Sequence, residues 1–432
     1  MKDLAELAGE KGIKYFLISF ADLFGTMRAK LVPAAAINDM AKAGAGFAGF
    51  ATWLDMTPAD PDIFAIPDPE SLIQLPWKPE TGWLAADIYM NGAAVEQAPR
   101  WLLKRQLEKA AAHGYAMKTG VECEYFLISR DGKAISDPAD TQAKPCYDQS
   151  ALMRRYEVVT KICDAMLALG WGPYQNDHED ANGQFEMNWA YADALVTADR
   201  HMFFKYMVKV LAEEAGYRAT FMPKPFAHLT GNGCHAHVSL WQNSRNLFAD
   251  EKAELGISET AKQFIGGIIG NADALCALTN PTVNSYKRIN APVTLSGATW
   301  SPNTATWSGN NRTHMIRIPE AGRFEIRLGD GAANPYLLQA AVLAAGLDGI
   351  KHKRDPGKPL AINMYTHGHT VDGLKKLPLN LLDALRALEH SSAFREAFSS
   401  EFLAAYLKLK HQDWNNYAQH LTEWERETTL DC

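Results

Sequence analysis

The sequence predicts an α+β protein in two parts, a small domain over residues 1–95 and a large one over residues 96–432. Three observations predict it. Aromatic and β-branched runs, broken by glycine, proline and aspartate, crowd the first part. Amphipathic stretches of helical period dominate the second. Between those stretches lie short strand-like segments that hold nearly all the clustered acids, histidines and arginines. A chain of 432 residues, 47% hydrophobic and 22% charged, has the apolar mass for a large core and is neither disordered nor fibrous. Lys+Arg 43 against Asp+Glu 50 gives a net charge of −7, which excludes nucleic acid or an anionic membrane as the main partner. A small-molecule partner is expected.

Residues 13–33, IKYFLISFADLFGTMRAKLVP, read as a hairpin: Tyr15, Phe16, Ile18 and Phe20 favour a strand, and Asp22-Leu23-Phe24-Gly25 supplies the reversal. From 44 to 92, turn residues alternate with short aromatic runs, which suits strands and loops. Ala98-Pro99-Arg100 opens a helix, because proline in the first turn forfeits no needed N–H; Trp101, Leu102, Leu103 and Leu107 give it an apolar face. Further helices are expected at about 149–169, 192–216, 257–278, 333–350 and 379–411. The most apolar, 333–350, contains Asn334, Pro335, Gln339 and Asp348 and is no membrane span. Six cysteines without C-x-x-C spacing, and an amino terminus without the apolar core of a signal peptide, point to the reducing cytoplasm. The chain contains no G-x-x-x-x-G-K-[ST] loop, no strand-linked G-x-G-x-x-G and no long repeat.

Four segments carry the chemistry. In Val121-Glu122-Cys123-Glu124-Tyr125-Phe126-Leu127-Ile128 a strand would set Glu122 and Glu124 on one face about 7 Å apart, to repel one another or to share a cation. In His178-Glu179-Asp180-Ala181-Asn182-Gly183-Gln184-Phe185-Glu186 the Asn-Gly pair predicts a two-residue turn with Glu179 opposite Glu186, again two acids face to face. Gly231-Asn232-Gly233-Cys234-His235-Ala236-His237-Val238-Ser239 places His235, His237 and Ser239 on one strand face; imidazole among carboxylates, with no thiolate cluster, suits Mg²⁺ or Mn²⁺ better than zinc. In Arg323-Phe324-Glu325-Ile326-Arg327 an acid alternates with two guanidinium groups, and Arg288, Arg312 and Arg317 add fixed positive charge suited to phosphate and carboxylate. Solvated strand faces and a structural salt-bridge ladder are the bland alternatives for each segment. Together the four describe two divalent ions on a polyphosphate with arginines around the transferring group, the apparatus of phosphoryl transfer.

In this order the motifs V-E-C-E-Y-F, H-E-D-A-N-G-Q-F-E, G-N-G-C-H-A-H-V-S-L, N-P-T-V-N-S-Y-K-R, N-R-T-H-M-I-R-I-P and R-F-E-I-R-L-G-D-G-A-A-N-P-Y-L resemble the glutamine synthetase family, from about residue 13 to the carboxyl end. The resemblance implies an N-terminal β-grasp domain and a C-terminal catalytic domain with a curved antiparallel sheet and helices. It also implies a dodecamer of two hexameric rings with active sites between subunits. It implies Glu124, Glu179 and Glu186 as ligands of one Mg²⁺ or Mn²⁺ and Glu122, His235 and Glu325 of a second. His237, Ser239, Arg317 and Arg323 would hold ATP; Gly231, Arg288 and Arg327 would hold L-glutamate; Arg312 would stabilise the phosphoryl group in flight. The reaction implied passes the ATP γ-phosphate to the glutamate γ-carboxylate, and an amine then attacks the acyl phosphate.

Two departures bear on the amine. Where ammonia-using relatives carry an acid in an N-terminal loop, this chain reads Phe47-Ala48-Gly49-Phe50-Ala51. Where they carry a flap glutamate, it reads Ile289-Asn290-Ala291-Pro292-Val293-Thr294-Leu295-Ser296-Gly297-Ala298-Thr299-Trp300, again without an acid. With Trp300 and Trp307 nearby, the pattern is similar to the γ-glutamylmethylamide synthetase branch and suits methylamine; ammonia is the alternative acceptor, and a non-catalytic ring protein a remote one. Asp55 is a candidate substitute base.

Overall fold

A computed structural model describes residues 3–294 and 296–432; Met1, Lys2 and Leu295, the last inside the acid-free segment, lie outside the described residues. The first hairpin forms as expected, with Tyr15–Ala21 antiparallel to Met27–Pro33. Its turn is held by one side chain. Buried Asp22 accepts the backbone N–H of Phe24 and of Thr26 at 3.1 and 3.0 Å and the Arg28 Nε at 2.9 Å. The helix Ile37–Ala43 then leads to strands Ala45–Phe47 and Ile63–Pro67, and Thr81–Met90 returns parallel to the first strand at the centre of the sheet. Hairpin, helix and central parallel pair make the β-grasp arrangement.

The helix Pro99–Ala112 starts where proline was read. Its Arg100 is buried and donates to Asp68, Asp87 and both carboxylate oxygens of Asp199, tying the first sheet to the helix Ala194–Glu214. A guanidinium withdrawn from water needs this many acceptors, and truncating it would leave Asp68 and Asp199 without a cation while Asp87 kept Lys104. The expected helices at 149–169, 257–278 and 379–411 are each interrupted: Gln149–Arg154 with Tyr156–Ala168, Glu259–Gly270 with Ala272–Thr279, and Leu381–His390, Ser392–Ala397 and Ser400–Ala418. The apolar helix Pro335–Lys351 is capped by Asn334 and buried through most of its length, and among the described residues no helix is long and apolar enough to cross a membrane.

Beyond the first sheet the structure has two further sheets where the sequence suggested one. The larger runs, in spatial order, Ala192–Asp193, Ala116–Cys123, Cys234–Gln242, Arg323–Ile326, Ile316–Glu320 and Trp307–Ser308, antiparallel except for the last pair. The smaller runs Pro173–His178, Gln184–Trp189, Tyr125–Ile128 and Arg218–Thr220. The segment read as one strand over 121–128 is therefore two, because the chain leaves the larger sheet at Glu124 and enters the smaller.

Candidate active site

The larger sheet assembles its polar cluster by register. His235 lies opposite Glu122, His237 opposite Glu325, and Glu325 opposite Arg317, so four neighbouring strands deliver their side chains to one place. His237 Nε2 stands 2.8 Å from Glu122 Oε1, and His235 Nδ1 stands 3.4 Å from Glu122 and 3.5 Å from Glu325. Donor atoms of Glu122, His237 and Glu325 fall within 4.8 Å of one another, so the geometry brings His237 into a group for which the resemblance implied His235. The arginines are shared differently from the expected ladder. Arg317 Nη1 donates to Glu325 at 2.8 Å and Arg327 to its other oxygen, whereas Arg323 turns to Glu320 and to His237 Nδ1. Burial pushes Glu325 up, but Arg327 and His235 outweigh it and hold the carboxyl at about 2. Burial likewise raises Glu122, and the hydrogen bonds to His235 and His237 bring it well below the usual carboxylate range.

The smaller sheet supplies a second cluster. Its hairpin corrects the expected register: Asn182 and Gly183 are the central turn residues, as read, but Glu179 bonds across to Gln184 and Asp177, not Glu179, opposes Glu186. The connection runs over residues 179–183 because Asp140, far away in sequence, accepts the Gly183 N–H and the Asn182 amide and pairs with buried His178 at 2.6 Å. A slip of two positions keeps every side chain on its face. Donor oxygens of Glu124, Glu179 and Glu186 accordingly still fall within 4.8 Å. Glu124 is aimed by the Gly233 N–H, 2.5 Å from its Oε2, and by the Gln184 amide. A Cβ on Gly233 would sit 2.8 Å from His235 Nε2 and 3.0 Å from both Arg288 Nη2 and Glu124 Oε1, so a larger residue there would displace these side chains. No cation pairs with Glu124, Glu179 or Glu186 among the described residues. Burial, then Glu124 and Asp177, raise Glu179 well above its ordinary value; burial, then Glu179, Glu122 and Glu124, do the same to Glu186.

Asp177 belongs to this cluster and escaped the sequence reading. One of its oxygens is buried without a partner, and burial with the charges of Glu122 and Glu124 lifts its carboxyl to about 6. The signal was present, because Asp177 and Glu179 share strand parity. Gly231 packs against Arg288, which is buried and donates to the Leu328 carbonyl; Arg327 keeps a buried Nε without a partner. Tyr365, given no role from sequence, is raised by burial while Arg327 and Arg288 pull it down, which places it beside them. Beside the larger sheet, a cavity of about 420 Å³ is lined by His237, Ser239 and Arg323 together with Tyr174, Tyr191 and Trp241. Arg312 is exposed and has no partner among the described residues. Two expectations change. Trp307 is a core residue whose indole donates to Gly357, and Asp55 is bound to Lys408 at 2.7 Å.

Comparison with known proteins matches this arrangement. The model of the glutamine synthetase catalytic domain matches residues 96–429. A glutamine synthetase of Rhizobium leguminosarum bv. phaseoli is 64% identical over 431 residues, 99% of each chain, and a glutamate–methylamine ligase of Methyloversatilis universalis is 42% identical over 98% of this chain and 97% of its own. Among solved structures, a GmaS–ADP complex superimposes with a TM-score of 0.97 at 66% identity, covering all of both chains, and ligand-free GmaS with 0.95 at 64%. Two carboxylate clusters at the junction of two sheets, arginines beside them and a family match over most of the chain lead to one assignment: the protein belongs to the glutamine synthetase family and is an ATP-dependent glutamate–amine ligase that forms a carbon–nitrogen bond.

Proposed function

We propose that the amine is methylamine and that the product is γ-glutamylmethylamide. The observation that carries this reading is that the described part of segment 289–300 offers hydroxyls and the Trp300 indole and no carboxylate of its own. Exposed Phe50 lies in the other acid-free loop and exposed Trp53 just beyond it, and the GmaS structures and the glutamate–methylamine ligase support the same direction. Ammonia is the second reading, favoured by the name glutamine synthetase on relatives 64% identical to this chain.

The residues fit two divalent ions. Burial and mutual repulsion disfavour ionising Glu179 and Glu186 together beside Glu124, a cost a cation would offset, and His235 Nε2 is buried with no partner. Glu124, Glu179 and Glu186 would hold one Mg²⁺ or Mn²⁺ and Glu122, His235 and Glu325 the other, with His237 within reach of the second. Bound there, the ions would draw charge from the ATP phosphates. His237, Ser239 and Arg323 line the cavity assigned to ATP, and Arg317, whose Nε and Nη1 donate to Asn310 and Glu325, would offer its Nη2 to a phosphate. Gly231, Arg288 and the unpartnered Nε of Arg327 are assigned to L-glutamate. Unpaired Arg312 is assigned to the phosphoryl group in flight. A methylammonium ion resembles a lysine head, pKa about 10.4 in water, so it must lose a proton before attack. Asp177, with a free oxygen and a carboxyl near 6, can take it. Two hexameric rings are the proposed assembly, by family likeness.

Purified protein given ATP, glutamate, Mg²⁺ or Mn²⁺ and either methylamine, ethylamine or ammonia tests the reading. Methylamine is expected to give the highest kcat/KM. Ammonia ahead by tenfold, about 1.4 kcal/mol, would overturn it.

A further inference from the structure

Asp180 follows Glu179 directly, yet its carboxylate is engaged by residues outside the two carboxylate clusters. It is 6% exposed, and among the described residues it pairs with no cation. Its Oδ2 instead accepts two hydroxyls, Thr230 Oγ1 at 2.6 Å and Ser296 Oγ at 2.7 Å. Thr230 precedes Gly231, assigned above to glutamate. Ser296 lies in the acid-free loop, where it also meets Thr294 Oγ1 at 2.9 Å; Thr294 in turn contacts Thr230 at 3.5 Å and bonds to Ala298, and Gly297 takes a φ of +91° to close the turn. A single buried carboxylate thus gathers the metal-binding hairpin, the glutamate-binding turn and the loop over them. A buried anion that spends its acceptor capacity on hydroxyls from two other segments holds those segments in place, because either hydroxyl released alone leaves the charge under-solvated.

We propose that Asp180 is the latch of the acid-free loop, holding it through the described residues Thr294 and Ser296, a positioning residue that keeps water from the activated glutamyl group until the amine arrives. The inference rests on the amine-ligase reading above. Whichever nucleophile attacks, the bond from the acyl carbon to the phosphoryl oxygen breaks and inorganic phosphate leaves. An amine forms the C–N bond and gives up a proton to make the amide; water returns glutamate. The ratio of phosphate released to amide formed therefore reports the latch directly. A member of this family whose loop carries no carboxylate of its own fastens the loop from the opposite side.

The test compares wild type with Ser296→Ala, Asp180→Ala and Asp180→Asn. Phosphate and amide are measured in the full reaction, and backbone hydrogen exchange over residues 291–300 is measured without substrates. The latch predicts a phosphate-to-amide ratio raised threefold or more in S296A and further in D180A. The amine KM should rise at least fivefold, the ATP KM should stay within twofold, and exchange in the loop should be faster. D180N keeps a carbonyl oxygen for the hydroxyls and is expected within twofold of wild type. S296A leaves the hairpin intact, so it decides the matter if D180A fails to fold. An S296A protein with either the ratio or the loop exchange unchanged would overturn the latch. Wild type that formed no amide with any amine would instead remove the activity reading, and the exchange comparison would still judge the latch.

Discussion

Two carboxylate clusters sit side by side in this protein, and the chain treats them in opposite ways. Around Glu325 and Glu122 it supplies its own partners, the guanidinium groups of Arg317 and Arg327 and two imidazoles within hydrogen-bonding range, and both acids are held low. Around Glu124, Glu179, Glu186 and Asp177 no Lys or Arg forms an ion pair among the described residues, and three of the four are pushed up. The difference separates a site that is electrostatically complete when folded from one that waits for a cation. The second should show the larger change in stability when metal is added.

The largest expected break in the comparison is Glu325→Ala. It strands Arg317 and Arg327, both nearly buried, and removal of one partner from such a pair costs about 3–5 kcal/mol. Turnover should fall at least about 100-fold, and a thermal melt with a coupled phosphate assay reads both; a variant as stable as wild type would show that the arginines find other acceptors. Glu186→Gln should act with the opposite sign in EDTA. It relieves repulsion, and the melting temperature should rise by about 2 °C for each kcal/mol relieved. Mn²⁺ at 100 times its dissociation constant should stabilise wild type by about 2.7 kcal/mol and E186Q by much less. Equal gains in the two would place the ion elsewhere.

The pH response sharpens the contrast. Asp177 titrates at about 6 when folded and near 3.9 unfolded, so the folded state holds the extra proton between those values. Its contribution to metal-free stability is complete below about pH 4 and is lost as pH rises through about 6. Glu325 runs the other way, its contribution present above about pH 4.3 and lost as pH falls toward 2. Melts of EDTA-treated protein from pH 3.5 to 7.5 should therefore decline toward neutrality, and saturating Mn²⁺ should flatten the decline. A metal-free protein that gained stability steadily up to pH 7 would contradict the cluster as described.

Legibility in the sequence followed the range of the interaction. The first hairpin, the proline-started helix and the alternation of His235 with His237 depend on residues a few positions apart, and period alone found them. Grouping Glu124 with Glu179 and Glu186 came through motif order, and parity made it robust to the register error in the hairpin. The error itself came from Asp140, a residue 43 positions from Gly183 that widens the turn, and no local rule anticipates such a partner. The change of sheet at Glu124 was hidden for the same reason, since the apolar run continues through it. Arg317 replaced Arg323 beside Glu325 because cross-strand pairing, which the sequence does not print, outranks neighbours along one strand.

The smallest effect tests whether the two clusters are mechanically joined at Gly233. An added methyl would press on His235 from one cluster and Glu124 from the other, and on Arg288 between them. All three contacts are ends of side chains, which can move, so Gly233→Ala should cost only about 1–2 kcal/mol of stability. Each of the three would nevertheless leave its place, and misplacement by 1 Å can cost about 100-fold in rate. The expected signature is therefore a well-folded protein whose Mn²⁺ affinity and glutamate KM worsen together. Gly9→Ala is the control: nothing lies within 4 Å of its Cβ in the helix Leu4–Lys11, so it should gain up to about 1 kcal/mol with kinetics unchanged. If G233A weakened metal binding alone, the two clusters would be independent neighbours, and the shared glycine would be a matter of space rather than coupling.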